Sequence, residues 1–176
     1  MNRLFFLLSL IISSIISNAQ INSTDSLIAK NLKDSAQKMS DLFIAKDYNN
    51  YVKFIHPNII SALGGKEKML SFLKTSLTDM EKQGYAFKSL TIDKAISIIH
   101  FDKQLQSIIP QLLEMKTPEG RLTSTSYLLA ISNDDGKTWY FADTSGKPIN
   151  EIKSIIPHLS DQLVVPDKIQ PVFYKD

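Results

Sequence analysis

Three histidines, His56, His100 and His158, and a few acids at turns are the side chains of this 176-residue chain best suited to moving a proton. Such chemistry needs a buried base and a hydrogen-bond donor placed where negative charge develops. Tyr127 supplies a donor, and Gln111 and Thr125 are polar positions inside apolar strand patterns. These three and His56 are the candidate ligand-binding residues. Asp93, Asp102 and Asp143 fall at strand ends or in turns, where a carboxylate caps backbone amides or faces water, and no acid shares the strand face of Tyr127. The catalytic residues are therefore unknown. The histidines lack the close spacing with a second ligand that a zinc site needs, and the absence of cysteine removes thiol catalysis and thiolate-held metal. Serine-nucleophile, phosphate-loop and dinucleotide motifs are absent, so no metal and no cofactor are expected.

The elements that must position these groups follow from hydrophobic spacing. Leu27, Ile28, Leu32, Met39, Leu42 and Phe43 recur at helical steps and predict a long amphipathic helix from Asp25 to Ala45. Asp47 caps a second helix carrying Tyr48, Tyr51, Val52, Phe54 and Ile55, which must stop near His56 because Pro57 disfavours helical geometry before it. Gly64-Gly65 opens a third, with Met69, Phe72, Leu73, Leu77 and Met80 on one face and Gly84 as its C-cap. Strands are expected over 87–92, 95–101, 105–116, 121–132 and 137–143. Thr117-Pro118-Glu119-Gly120 and Asn133-Asp134-Asp135-Gly136 supply hairpin turns. By parity, Leu105, Ser107, Ile109, Gln111, Leu113 and Met115 share one face of their strand, as do Thr123, Thr125, Tyr127, Leu129 and Ile131 on the next. Apolar faces with a few polar groups fit either a ligand cavity or a core whose polar groups bond to neighbours. The opposite parity holds Ile108, Pro110 and Leu112 with Leu128 and Ala130, which suit a homodimer contact or a covering by the C-terminal strap. That strap, residues 158–176, is expected to be extended and packed through Leu163, Val164, Val165, Ile169 and Val172, after a short helix begun by Pro148.

Helices first and a curved antiparallel sheet after them make an α+β layout. The stretch from Ala36 to Asp143 resembles the NTF2-like superfamily: a first helix ending at Lys46-Asp47-Tyr48, a His56-Pro57 break, Gly64-Gly65-Lys66-Glu67 opening a helix, and final strands ending in Trp139-Tyr140-Phe141. The resemblance implies a cone of helices packed against the sheet, with an open-mouthed cavity, over residues 20–157. It also implies isomerases, cyclases, dehydratases, ligand carriers or non-catalytic accessory domains, without choosing between them. His56 is then either a helix-ending residue with a hydrogen-bonded imidazole or a group at the cone mouth. His100 belongs at the sheet rim or in a hydrogen-bonded core position. Ser132-Asn133-Asp134-Asp135-Gly136-Lys137-Thr138-Trp139 looks like the Asp-box of sialidase-type propellers, in which the motif is a structural hairpin. With one copy, and Arg121 the only arginine beyond Arg3, a structural hairpin is the expectation here.

Arg3, the apolar run Leu4 to Ile16 and Ser17-Asn18-Ala19 have the three-part layout of a secretory signal peptide over residues 1–19, cleaved before Gln20. The run is too short to span a bilayer well, so no membrane span is expected after cleavage. Export directs the protein to a periplasm or the extracellular space. There are 20 basic and 18 acidic side chains, both signs scattered, which argues against a nucleic-acid partner. The expected function is non-catalytic binding of a small apolar or amphipathic ligand in the cavity. The alternatives are an isomerase- or dehydratase-like enzyme, or an interaction module using the sheet face.

Overall fold

Two long strands carry the architecture. In the computed structural model, which describes residues 23–144 and 146–175, β3 (Gln104–Thr117) and β4 (Gly120–Ser132) form an antiparallel hairpin of thirteen paired positions. No bulge interrupts it. β1 (Ala86–Ile92) and β2 (Ile98–Phe101) lie end to end along the other side of β3, β2 beside its start and β1 beside its end. Along β4, β5 (Tyr140–Asp143) and β6 (Val172–Lys175) are likewise end to end, which completes an open, six-stranded antiparallel sheet. Asp102 and Lys103 both adopt positive φ (48° and 63°), the geometry of a tight turn matched to strand twist, and so join β2 to β3.

α1 (Ser23–Ile44) lies across one face of this sheet. Leu32, Ala36 and Met39 recur one turn apart and are buried against Ile92, Leu105, Ile109, Leu128 and Ala130. Lys46, at φ 59°, ends the helical segment, and the Asp47 carboxylate caps α2 (Tyr48–Tyr51) by accepting the Asn50 N–H at 3.2 Å. The expected helix to His56 divides here. A 3-10 turn, Val52–Phe54, follows, and Ile55 becomes extended and bridges to Phe141. Pro57 explains the break, since it pushes His56 out of helical geometry (ψ 132°) and then serves as the first residue of α3 (Pro57–Ala62). α3 stands where the sequence predicts only a turn. α4 (Lys66–Lys82) buries Met69 and packs Leu70 and Leu73 on the core, while Phe72, expected on the same face, is 63 % exposed.

A second core lies on the sheet's other face. Ile108, Tyr127, Leu129, Ile131 and Ala142 are covered by Ile152 of α5 (Ile149–Ile152) and by Ile156, Leu159 and Leu163. Layers therefore cover both faces of the hairpin's β2/β5 end. Gln106 fixes this outer layer. Its buried amide donates to the His158 carbonyl at 2.8 Å and to Gln104 Oε1 at 2.7 Å, and its carbonyl accepts the Ser160 N–H at 2.9 Å. The strap is packed only in part: Leu163 is buried, but Val164, Ile169 and Val172 are exposed. Its end is a strand, β6, rather than extended coil, because β4 outruns β5 and leaves backbone groups of residues 120–123 to be paired. The expected signal peptide, residues 1–19, lies outside the described residues. No helix among the described residues is long and apolar enough to cross a membrane.

Gln106→Ala leaves the His158 carbonyl and Ser160 N–H without their partner. It is expected to lower unfolding free energy by about 2 kcal/mol in urea titration, and to accelerate amide exchange at Leu159–Leu163 ahead of the sheet. A loss under about 0.5 kcal/mol would mean that apolar contacts alone hold the strap.

Candidate functional site

The turn between β3 and β4 decides which side chains can meet. Pro118 and Glu119 form a two-residue loop closed by the Thr117–Gly120 pair, so every paired position joins an odd number to an even one. Gln111 stands opposite Ser126 and Ile109 opposite Leu128, on the helix side; Tyr127 stands opposite Pro110 and Thr125 opposite Leu112, on the outer side. The four candidate residues therefore do not form one site. Tyr127 is buried under the C-terminal layer and Thr125 lies beyond it. Expecting these two to share a face with Gln111 ignored the turn, and the same correction pairs Ile108 with Leu129 instead of Leu128.

Gln111 does face a cavity. About 220 Å³ lies between α1, α2 and the sheet, walled by Met39, Phe43, Ile55, Phe87, Leu90, Leu113, Leu128 and Phe141. Its polar lining is Gln111, Ser40, Ser126, Tyr51 and Asp143. Gln111, 7 % exposed, donates to Ser40 Oγ at 2.9 Å, and Ser40 in turn donates to the Ala36 carbonyl at 3.0 Å. The Gln111 carbonyl receives only a long 3.4 Å bond from Ser126, which leaves acceptor capacity for a ligand donor. Burial pushes the Tyr51 hydroxyl up to about 12, and the Asp143 carboxylate adds to the rise. Tyr51 is thus a neutral donor across the physiological range. The pairing of Leu128 with Asp143 puts this acid on the cavity side of β5. Tyr51, Ser40, Ser126 and Asp143 were not candidates from the sequence. The odd-to-even pairing implied by a two-residue turn is the signal that would have brought Ser126 to Gln111.

His56 has a structural post. Its Nδ1 accepts the Asn58 N–H at 3.2 Å as the N-cap of α3, its backbone N–H donates to the Phe141 carbonyl at 2.8 Å, and its ring meets Tyr140 edge-on at 6.4 Å. It starts a helix instead of ending one, and it does not line the Gln111 cavity. His100 is exposed on β2, at the sheet rim, and the exposed His158 lies 3.7 Å from Asp102. Among the described residues no three His, Cys, Asp or Glu side chains gather as metal ligands.

The 132–139 motif builds a hairpin that also docks α1. Asp134 accepts the Thr138 N–H at 2.8 Å and its hydroxyl at 2.7 Å, bonds that hold the Asp134 carboxyl below the usual range. Ser132 donates to Asp134 and accepts the Gly136 N–H, both at 2.9 Å, and the Trp139 indole donates to the Gly136 carbonyl at 3.1 Å. Asn31 of α1 donates to the Gly136 and Lys137 carbonyls. Gly136, at φ 80°, brings its backbone so close that an added Cβ would sit 3.0 Å from Ile28. Comparison with protein-family models, curated proteins and solved structures returned no match.

Burial lowers the pKa of His56, and protonation would remove the lone pair that caps α3 and put a cation at a helix N-terminus. The stability that His56 contributes is therefore complete above its ordinary value of 6.5 and is lost as pH falls through the lower folded value. His56→Asn, which keeps a capping acceptor, is expected to flatten the pH dependence of unfolding free energy below that point. His56→Ala should cost about 1 kcal/mol at pH 8 by urea titration.

Proposed function

We propose that this chain is an exported NTF2-like α+β cone that binds a small amphipathic molecule in the cavity beside Gln111, without transforming it. The observation that carries the reading is the cavity itself: apolar walls from both layers, with a buried amide held by Ser40 and a neutral phenol from Tyr51. Ligand sites have this composition, a mainly apolar lining with a few placed polar groups that fix orientation. An apolar cavity of about 150 Å³ accepts benzene, so about 220 Å³ accommodates on the order of ten heavy atoms. The matching ligand has an apolar body, a donor for the Gln111 carbonyl and an acceptor for Tyr51.

A second reading, an isomerase- or dehydratase-like enzyme, is favoured by Asp143. It puts a carboxylate on the same cavity as a phenol that stays protonated, which is the acceptor and donor pair that proton transfer requires. The interaction-module reading is narrower than the sequence suggested. Ile108 lies beneath Ile152 and Ile156, so a charge there would damage the fold, whereas Leu112 remains 49 % exposed on the outer face.

2-Naphthol, with a phenol donor on an apolar frame, is a suitable probe. Titration calorimetry is expected to show one saturable site. Ser126→Phe, which fills the cavity, should weaken binding at least tenfold, while Thr125→Phe on the opposite face should leave it unchanged. Equal loss in both variants would place binding elsewhere, and loss in neither would exclude the cavity.

A further inference from the structure

A second and larger recess, about 740 Å³, runs between α1, the 3-10 turn and the loop that leads into β5. Three lysines from three separate elements line it: Lys38 of α1, Lys53 of the 3-10 turn and Lys137 of the hairpin loop. All three are exposed, and none has a carboxylate within ion-pair distance among the described residues. Asp34, the one acid on the lining, is already paired with Lys30. The groove is thus a concentration of positive charge on a chain whose formal net charge is only +2. Beside the ammoniums the lining mixes apolar groups, Leu42, Phe54 and the buried Trp139, with Tyr140 and the polar Asn31, Ser35, Asn50 and Thr138.

We propose that this groove docks an acidic segment of a partner protein, an extended peptide in which carboxylates alternate with apolar side chains. Charge complementarity sets the sign of the occupant, and Leu42 and Phe54 beside the lysines give apolar side chains between its carboxylates a surface to meet. A saccharide fits less well. Sugar hydroxyls are read by planar amides and carboxylates, and those here are engaged: Asn31 on the Gly136 and Lys137 carbonyls, Asn50 on Asp47 and Lys53, and Asp34 on Lys30. A concave groove also suits a chain better than it suits a flat bilayer surface. The site is separate from the Gln111 cavity and does not depend on that cavity being occupied.

Fluorescence anisotropy of a labelled octapeptide of alternating Glu and Phe, titrated with the purified protein at low salt, tests this. Saturable binding is expected, weakened by added salt and lost in the Lys38→Glu/Lys53→Glu/Lys137→Glu protein, with a Lys74→Glu change at an exposed position of α4 as a control of equal sign. Single Lys→Gln variants, which carry little risk to folding, should each weaken binding about two- to fivefold. Absence of binding, or binding untouched by these variants, would overturn the proposal. So would equal binding of a uronic-acid oligomer, of polyphosphate or of an octapeptide alternating Glu and Ser, since each would reduce the groove to a general polyanion contact.

Discussion

Three polar bridges hold α1 at a fixed stand-off from the sheet, and the rest of the molecule depends on them. Asn31 ties its first turns to the Gly136 and Lys137 carbonyls, Gln37 bonds the Leu90 carbonyl at 3.0 Å and the Ile92 N–H at 2.9 Å, and Ser40 receives the Gln111 amide. Gln37 in effect pairs the free edge of β1, where two backbone groups would otherwise lie open to another strand. The Gln111–Ser40 bond is buried and the Gln37 bonds are partly buried, so breaking them is costly and this docking is directional in a way that Leu32, Ala36 and Met39 alone would not impose. Apolar packing by itself would favour collapse of the helix onto Leu90 and Leu113. The bond from the Gln111 amide to Ser40 Oγ anchors the helix beside the cavity instead, and keeps its polar end in place.

The same sheet serves two purposes because its hairpin is unbroken. Helix-side positions of β3 and β4 change from core at Leu105, Ile109 and Ala130 to cavity lining at Gln111, Leu113 and Ser126, with Leu128 belonging to both, within a few residues along the strands. Outer-side positions change from strap-covered Ile108 and Leu129 to exposed Leu112. The β2/β5 end is covered by packing on both faces. Toward the other end the hairpin stays paired but its helix-side face borders the cavity, and there Gln111, Ser126, Ser40, Tyr51 and Asp143 gather.

Much of this was legible from residue spacing. The α+β order, the long first helix, the Asp47 cap, the strand segments and the structural hairpin at 132–139 all rest on local chemistry: helical periodicity, caps, turn residues and a self-bonded Asp134. One miss was local, since Pro57 starts α3 as readily as it stops the helix before it. The rest of what escaped depends on partners distant in sequence. β6 needed knowledge that β4 outruns β5. Tyr51 and Asp143 read as an apolar position on the second helix and a strand-end acid, and only the fold puts them on one cavity. The misplacement of Thr125 and Tyr127 is of another kind, since the two-residue turn at Pro118-Glu119 already contained the answer.

Native mass spectrometry of the protein purified from its native source, set against its denatured mass, tests the proposed binding role most directly. A ligand of on the order of 150 Da, released on denaturation, is the predicted result for a cavity of this size. Apo-protein alone, at native and denatured masses that agree, would contradict it.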